Sequence, residues 1–239
     1  MIETTATGQI IDYGQIPLVN AATSFTVLTW FNLYSLANWE GGANGVIVNN
    51  YDSTLANGWS FTTENSVTRL YFLSKSGGGV VGQWYISSPG INALKHVAIT
   101  YNGSSTSNDP IIYVNGSSVS VTKAATPSGA LLLTNCELSL FNRNDAGIAK
   151  TQTLKGALFS VCVYNYIMSA SEVSDAYNSK LAIPSWRGLI FAPQLWNVQD
   201  GAVLGSSNII RDLVSGAAGV PSGSPVGRGD NVLRIEGIN

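Results

Sequence analysis

The segment Lys95-His96-Val97-Ala98-Ile99-Thr100-Tyr101-Asn102-Gly103, followed by Ile112-Tyr113-Val114-Asn115-Gly116, decides the fold class. In both pieces, β-branched and aromatic residues run up to an Asn-Gly dipeptide. This dipeptide takes positive φ angles at little cost, and it commonly joins antiparallel strands. The two pieces are therefore predicted to be strands of one antiparallel sheet.

The same pattern recurs on both sides of this segment. Short runs rich in Val, Ile, Thr, Phe and Tyr alternate with Gly, Asn and Ser, which is typical of short strands joined by turns. Strands are predicted at residues 25–34, 45–49, 58–63, 69–74, 83–87, 96–101, 111–114, 118–121, 137–141 and 157–164. One short helix is predicted near residues 169–180, where Ser169 and Glu172 fit a capping box. These elements predict an all-β fold, a two-sheet antiparallel jelly-roll sandwich with one short helix.

The chain after Pro184 is predicted to form a C-terminal extension. Further strands are expected at residues 188–192, 209–213 and 232–235, joined by a Gly- and Ser-rich stretch at residues 215–225. We therefore divide the chain into a sandwich of residues 1–185 and an extension of residues 186–239. The extra edge strands of the extension are expected to pack on the same sandwich or on a neighbouring subunit, because an unpaired strand edge accepts a further strand.

Charge and hydropathy exclude several classes of partner. The 239 residues include 12 Lys and Arg against 14 Asp and Glu, a formal net charge of −2, and the basic residues form no cluster in the sequence. Nucleic acid is not expected as a partner, because binding phosphates requires a basic patch. The longest apolar runs are far shorter than a membrane span, so no membrane insertion is expected. The first residues show no secretory signal.

Three blocks of the sequence resemble laminin-G-like domains of the concanavalin A-like lectin and glucanase superfamily. The blocks are residues 25–30, the strand pair quoted above, and residues 156–177, so that the resemblance covers residues 25–177. It implies a concanavalin A-like jelly roll, whose members bind glycans or proteins, sometimes with calcium at the rim loops, and sometimes hydrolyse polysaccharides. Residues 210–216 resemble a segment that the family carries near its first strand, which implies a permuted or additional edge strand.

The sequence predicts that the protein is not an enzyme. Glycoside hydrolysis requires two carboxylates that flank the scissile bond, and the glucanases of this superfamily alternate Glu and Asp along one strand. No Glu in this chain has an Asp two positions away. The single histidine, His96, alternates with Val97 and Ile99 in a predicted strand, which favours a structural role over that of a catalytic base. Glycoside hydrolysis is kept as a remote alternative.

Aromatic and amide side chains predict a ligand-binding surface. Sugars stack on aromatic rings and are oriented by a few polar groups. The candidate ligand-binding residues, in or near predicted loops and strand ends, are Tyr51, Asp52, Trp59, Trp84, Asn142 and Asp145. For the tryptophans, burial in the core is an open alternative.

Calcium is the only cofactor that the sequence suggests. Hard cations need several oxygen ligands, and two predicted loops, residues 49–52 and 142–145, offer them through Asn50, Asp52 and Asp145. Asn and Asp are also ordinary turn residues, which explains both clusters without a metal. The two cysteines, Cys136 and Cys162, lie in apolar runs and are predicted to be buried free thiols.

Two functions are predicted from these features. The first is a structural or adhesion protein of a virus particle, a capsid decoration or fibre protein at the virion surface, which forms a homo-oligomer or binds a capsid or shell protein. Its basis is the low charge and the absence of a visible signal in this sequence. The second is a lectin-like module that binds glycans at an extracellular or cell surface, with or without calcium.

Overall fold

The computed structural model describes residues 1–42, 44–52, 57–64, 68–77, 79–143, 151–196, 198–205 and 209–228. These residues form two antiparallel sheets that pack face to face, and the predicted β-sandwich is confirmed. None of the helices in these ranges is long and apolar enough to cross a membrane. Cys136 and Cys162 are free and buried, as predicted.

Sheet A includes the N-terminal strand and the two predicted strands of residues 95–103 and 112–116. Its strand order is β10 (Ser117–Ser118), β9 (Ile111–Val114), β8 (Leu94–Asn102), β3 (Ser24–Leu33), β13 (Gly156–Tyr164), β1 (Ile2–Glu3) and β17 (Val226–Gly227), and β14 (Leu189–Phe191) also pairs with β13. The hairpin between β9 and β10 turns at Asn115 and Gly116, whose φ angles are 49° and 82°. Asn102-Gly103 forms no such turn, because the Gly103 N–H donates to the Thr23 carbonyl at 2.8 Å.

Sheet B faces sheet A across the core. Its strand order is β11 (Thr122–Ala125), β7 (Gly82–Ser87), β6 (Arg69–Ser76), β5 (Asn57–Glu64), β4 (Val46–Asp52), β12 (Glu137–Leu140), β2 (Ile10–Gly14), β16 (Ala218–Ser222) and β15 (Ile210–Arg211). The four central strands β4 to β7 pair in sequence order, so that their outward side chains form continuous cross-strand rows.

Large aromatic side chains from both sheets meet in the core. Phe25 of sheet A stacks on Trp59 of sheet B, with ring centres 5.1 Å apart. Tyr101 packs against Phe72 at 5.2 Å and against Trp84 at 5.4 Å. Such pairs add to the free energy gained by burying the rings. Trp59 and Trp84, which the sequence predicted to bind a ligand, are therefore part of the core.

Two helices complete the fold. The predicted helix is α2 (Ala170–Ser179), and its capping box is present, with the Ser169 hydroxyl accepting from the Glu172 N–H. α2 covers the outer face of sheet A, where Tyr177 stacks on Trp30 with ring centres 5.6 Å apart. The single turn α1 (Pro17–Asn20) was not predicted from the sequence.

One predicted strand is divided between the two sheets. Residues 118–121 were expected to be a single strand, but β10 ends at Ser118 in sheet A and β11 begins at Thr122 in sheet B. Between them, Val119 and Val121 pack against the core as the chain crosses from one sheet to the other. The predicted strand at residues 232–235 lies outside the described residues.

The chain after α2 adds strands to both sheets. β14 pairs with β13, β16 pairs with β2, and β17 pairs with β1. Beside β17, the Arg228 guanidinium lies 2.7 Å from a carboxylate oxygen of Glu3. The carboxylate of Asp212, which is buried, accepts hydrogen bonds from the N–H groups of Ala192 and Ser215 at 2.7 Å each. These strands are thus held by the sandwich of the same chain.

Candidate functional site

The candidate site lies on the outer face of sheet B. Successive side chains of a strand point to opposite faces. The cross-strand row of Val48, Phe61, Phe72 and Trp84 is buried in the core. The neighbouring row therefore faces outward, and it consists of Asn49, Ser60, Leu73 and Gln83.

A small cavity of about 60 Å³ opens on this face. The strands β4, β5 and β6 form its floor, and Arg143 and Gln152, which lie between β12 and β13, contribute to one wall. The lining residues are Asn44, Asn49, Tyr51, Trp59, Ser60, Thr62, Leu73, Lys75, Arg143 and Gln152. We refer to this space as the Lys75 cavity.

Two cations meet at one aromatic ring in the Lys75 cavity. The Lys75 ammonium nitrogen lies 3.8 Å from the centre of the Tyr51 ring, and the Arg143 guanidinium carbon lies 5.5 Å from it. Burial and the charge of Arg143 lower the pKa of Lys75 to about 8. Lys75 thus remains mostly charged at neutral pH. Among the described residues, no carboxylate forms an ion pair with Lys75.

Polar groups at the floor of the cavity lack partners. Asn49 is completely buried, and neither its amide oxygen nor its amide nitrogen has a hydrogen-bond partner among the described residues. The same holds for the hydroxyl of Ser60, which is also buried. A buried polar group without a partner costs about 1–3 kcal/mol. A ligand or water that bonds to these groups would remove that cost.

Two tyrosines extend the face beyond the cavity. Tyr71 pairs in register with Thr62 at the cavity wall and with Tyr85 on the other side. The two tyrosine rings lie 5.3 Å apart, and the Arg69 guanidinium carbon lies 3.8 Å from the centre of the Tyr85 ring. Both tyrosines are half-buried.

Some predicted binding residues lie at this site. Tyr51 lines the Lys75 cavity, and Asp52 is the last residue of β4. Residues 49–52 were expected to form a loop, but they continue β4, because all four pair with β5 and residues 49–51 also pair with β12. Asp145 lies outside the described residues.

Asn142 positions two residues of the cavity wall. It is completely buried, and its amide oxygen accepts hydrogen bonds from the N–H groups of Arg143 at 2.9 Å and Gln152 at 3.1 Å. Its amide nitrogen donates to the Thr153 hydroxyl at 2.7 Å. Asn142 therefore shapes the site from beneath, although it was predicted to contact a ligand.

Trp59 and Trp84 are core residues, which corrects their prediction as ligand-binding residues. Trp59 lines the cavity, but its ring stacks on Phe25 and only 1% of the residue is exposed. Trp84 is 0% exposed, and its indole N–H donates to Asp109 at 2.8 Å. Neither tryptophan presents a ring face to solvent, because the large apolar rings fill the space between the sheets.

The described residues do not gather a calcium site. Asn50 is buried, and its amide nitrogen donates to the Asn20 side chain at 3.1 Å. Within the described ranges, no group of three His, Cys, Asp or Glu residues could hold a metal ion. Calcium binding through Asn50, Asp52 and Asp145 stays a prediction.

One carboxyl group near this face has a perturbed pKa. Burial raises the pKa of Glu137, and the nearby carboxylates of Asp12 and Asp52 raise it further. Glu137 pairs in register with Tyr51, so that these acids lie on the β12 side of the Lys75 cavity. His96, by contrast, lies in sheet A, where burial and Lys180 lower its pKa to about 4.

The sequence matches the family model of the concanavalin A-like lectin/glucanases superfamily over residues 7–174. The chain belongs to this superfamily. The predicted resemblance is therefore confirmed over most of the chain. None of the curated proteins matches the sequence.

Solved structures of this superfamily fold resemble the chain at low sequence identity. A protein of Bacteroides ovatus assigned to carbohydrate binding has a TM-score of 0.63 and 15% identity, and the match covers 98% of this chain and 61% of that one. The chain thus spans about three fifths of that relative. A heptameric SAP-like pentraxin of Limulus polyphemus has a TM-score of 0.60 and 13% identity, covering 92% and 94% of the two chains.

A third similar structure is a complex with a sugar. The CBM40 of the Ruminococcus gnavus IT-sialidase, bound to α2,3 sialyllactose, has a TM-score of 0.55 and 13% identity, and the match covers 72% of this chain and 93% of that one. At such identities the likeness shows the fold alone. None of these three is a virus-particle protein, so the virion role stays a prediction.

Proposed function

We propose that this chain is a non-catalytic, lectin-like module that binds glycans on the outer face of sheet B. The observation that carries the proposal is the Lys75 cavity, in which Asn49 and Ser60 present unpaired polar groups beside the half-buried rings of Tyr71 and Tyr85. Small-ligand sites combine a few polar groups that fix orientation with apolar and aromatic walls.

The chemistry of these residues suits a sugar. The Asn49 amide offers both a donor and an acceptor, and the Ser60 hydroxyl offers either, which matches hydroxyl groups that donate and accept. The C–H face of a pyranose can lie on the ring of Tyr71 or Tyr85, while its hydroxyls reach toward Ser60. The sugar-binding relatives support this proposal through the shared fold.

Because the proposed ligand is a glycan, we place the module where glycans are displayed, at an extracellular or cell surface. Sedimentation velocity would show whether the chain forms an oligomer.

A glycan array with matched variants tests the proposal. Tyr71→Ala and Tyr85→Ala remove rings from the proposed face, whereas Trp186→Ala removes a ring that is 58% exposed elsewhere. We expect the wild type to bind a defined set of glycans, the two tyrosine variants to lose at least about tenfold in affinity, and Trp186→Ala to bind normally. Binding by no glycan, with or without calcium, would contradict the proposal.

The hydrolytic alternative is tested on the same glycans. The raised pKa of Glu137 is the property of a proton donor, so each bound glycan is incubated with the protein and examined for newly released reducing ends. A non-catalytic module releases none. Release that Glu137→Gln abolishes would assign an enzymatic function instead.

A further inference from the structure

We propose that the ligand is an anionic glycan, and that a carboxylate or sulfate substituent of one sugar enters the Lys75 cavity between Lys75 and Arg143. This inference rests on the proposed function and specifies its ligand. The two substituents share the chemistry that the cavity recognises, which is a compact anion with several hydrogen-bond acceptors.

The size of the cavity selects a substituent over a sugar ring. Its volume is about 60 Å³, whereas pockets that hold a whole small ligand measure roughly 300–1,000 Å³. The cavity therefore suits a substituent better than a whole sugar. A pyranose ring must remain above it, on the face that carries Tyr71 and Tyr85, while an exocyclic group reaches down.

Three other cations of the described chain pair with a carboxylate, whereas Lys75 does not. Lys123 lies 2.6 Å from Asp109, Arg228 lies 2.7 Å from Glu3, and Arg187 lies 3.5 Å from Glu172. Lys75 instead contacts an uncharged ring, and no described carboxylate pairs with it. Lys75 is half-buried, and because buried charges are normally paired, an anionic ligand would supply a counter-charge.

The floor of the cavity offers donors for the oxygens of an anion. The amide nitrogen of Asn49 and the hydroxyl of Ser60 are buried and have no partner among the described residues. Both can donate to the oxygens of a substituent that already lies between the two cations. Charge-assisted hydrogen bonds of this kind are shorter and stronger than those between neutral groups.

Attraction between the whole molecule and anions does not account for a preference for acidic glycans. The formal net charge of the chain is −2 at pH 7, so the molecule as a whole repels anions weakly. Selectivity for an acidic glycan would therefore have to arise locally, and a variant that removes the charge of Lys75 isolates this contribution.

The test uses an array that carries acidic glycans beside their neutral parents. The pairs are sialylated and desialylated glycans, uronic acids and the corresponding hexoses, and sulfated and unsulfated sugars, all measured at 0.15 M salt (about physiological). We expect at least about tenfold tighter binding of the acidic member in one or more pairs. The sialyl and uronate pairs report a carboxylate, and the sulfated pairs report a sulfate.

Three lysine variants show where the preference arises. Lys75→Met keeps the length of the side chain without its charge and should remove the preference, whereas Lys75→Arg should retain it. Lys95→Met makes the same change of charge in sheet A and should leave binding unaltered. Melting temperatures of the variants verify that each one is folded.

The outcomes separate this inference from the proposed function. Equal binding of acidic and neutral members, or an acid preference that persists in Lys75→Met, overturns the inference and leaves glycan binding standing. Binding by no member of any pair overturns both.

Discussion

The ammonium group of Lys75 lies over the ring of Tyr51, 3.8 Å from its centre, on the outer face of sheet B. The negative face of the ring stabilises the positive charge, while burial and Arg143 disfavour it and lower the pKa of Lys75 to about 8. The lysine is thus charged at neutral pH but incompletely compensated. This balance is the basis of the binding site that we propose.

Replacing Tyr51 should lower the pKa of Lys75 further. In Tyr51→Leu the cation loses the ring that stabilises its charged form, a loss of about 1 kcal/mol for a partly buried contact. The pKa of Lys75 should then fall below about 8, which the carbon chemical shift of its Cε as a function of pH reports. Tyr71→Leu is the control, and an equal pKa in both variants would contradict the role of Tyr51.

Binding of an acidic glycan should weaken at alkaline pH. Lys75 loses its proton as the pH rises through about 8, so the affinity should decrease about tenfold between pH 7 and pH 9. Titration calorimetry at several pH values measures this change. In Lys75→Arg the guanidinium stays charged, and the affinity should be nearly constant; the same alkaline loss in this variant would assign the effect to another group.

Asn142→Ala should impair binding although Asn142 touches no ligand in our account. The variant removes the acceptor that holds the N–H groups of Arg143 and Gln152, and buried hydrogen bonds of this kind contribute about 1 kcal/mol each. We expect a lower melting temperature and at least a fivefold loss of affinity below the melting transition. Asn178→Ala, at an exposed position of α2, should change neither quantity.

A normal affinity of folded Asn142→Ala would show that the positions of Arg143 and Gln152 in the cavity wall do not depend on this residue. The melting curve of each variant, recorded before the binding measurement, ensures that the affinities refer to folded protein.

His96 should make the fold sensitive to acid. Its ring contacts both Trp30 and Tyr177, with ring centres 5.0 and 5.8 Å away, and burial and Lys180 lower its pKa to about 4. The unfolded chain has a histidine pKa near 6.5, so it takes up the proton first as the pH falls. The contribution of neutral His96 to stability is therefore complete above about pH 6.5 and is lost progressively toward pH 4.

The size of this effect can be measured against a variant that does not titrate. Between pH 7.5 and pH 4.5 the wild type should lose roughly 2–3 kcal/mol more unfolding free energy than His96→Phe. Denaturant unfolding at both pH values gives the difference, in which the titration of the carboxylates largely cancels. Parallel losses in the two proteins would show that His96 is not the group responsible.

Tyr13→Phe should be neutral or stabilising. Tyr13 packs edge-on against Phe191 with ring centres 4.9 Å apart, but its buried hydroxyl has no hydrogen-bond partner among the described residues. Removing an unpaired buried hydroxyl relieves a cost of about 1 kcal/mol while the ring contact remains. A melting temperature clearly below that of the wild type would reveal a hydroxyl partner, such as a buried water.

The repeating local patterns made most of the fold predictable. β8 and β9 follow from their alternation, the hairpin of β9 and β10 follows from Asn115-Gly116, and α2 follows from the capping box of Ser169 and Glu172. By contrast, β1 and β17 have two residues each. Their existence depends on pairing between the two ends of the chain, which no local pattern encodes.

The site was harder to predict, because it depends on which strands are neighbours. Lys75 and Arg143 are far apart in the sequence, and their convergence on Tyr51 requires the sheet order of β6, β5, β4 and β12. Aromatic character alone led to the prediction that Trp59 and Trp84 bind a ligand, but both are buried in the core. Tyr51 was predicted from the sequence as a site residue. Asn49, Ser60 and Lys75 can be assigned to the site only when the outward rows of sheet B are known.

The most direct test of the account is to map where a glycan binds. Backbone amide shifts of the isotope-labelled protein would be recorded with the strongest array ligand. We predict that the largest changes lie on β4, β5 and β6 around Tyr51, Ser60 and Lys75. Changes confined to sheet A, or to the rim around α1, would contradict the claim that the outer face of sheet B is the binding site.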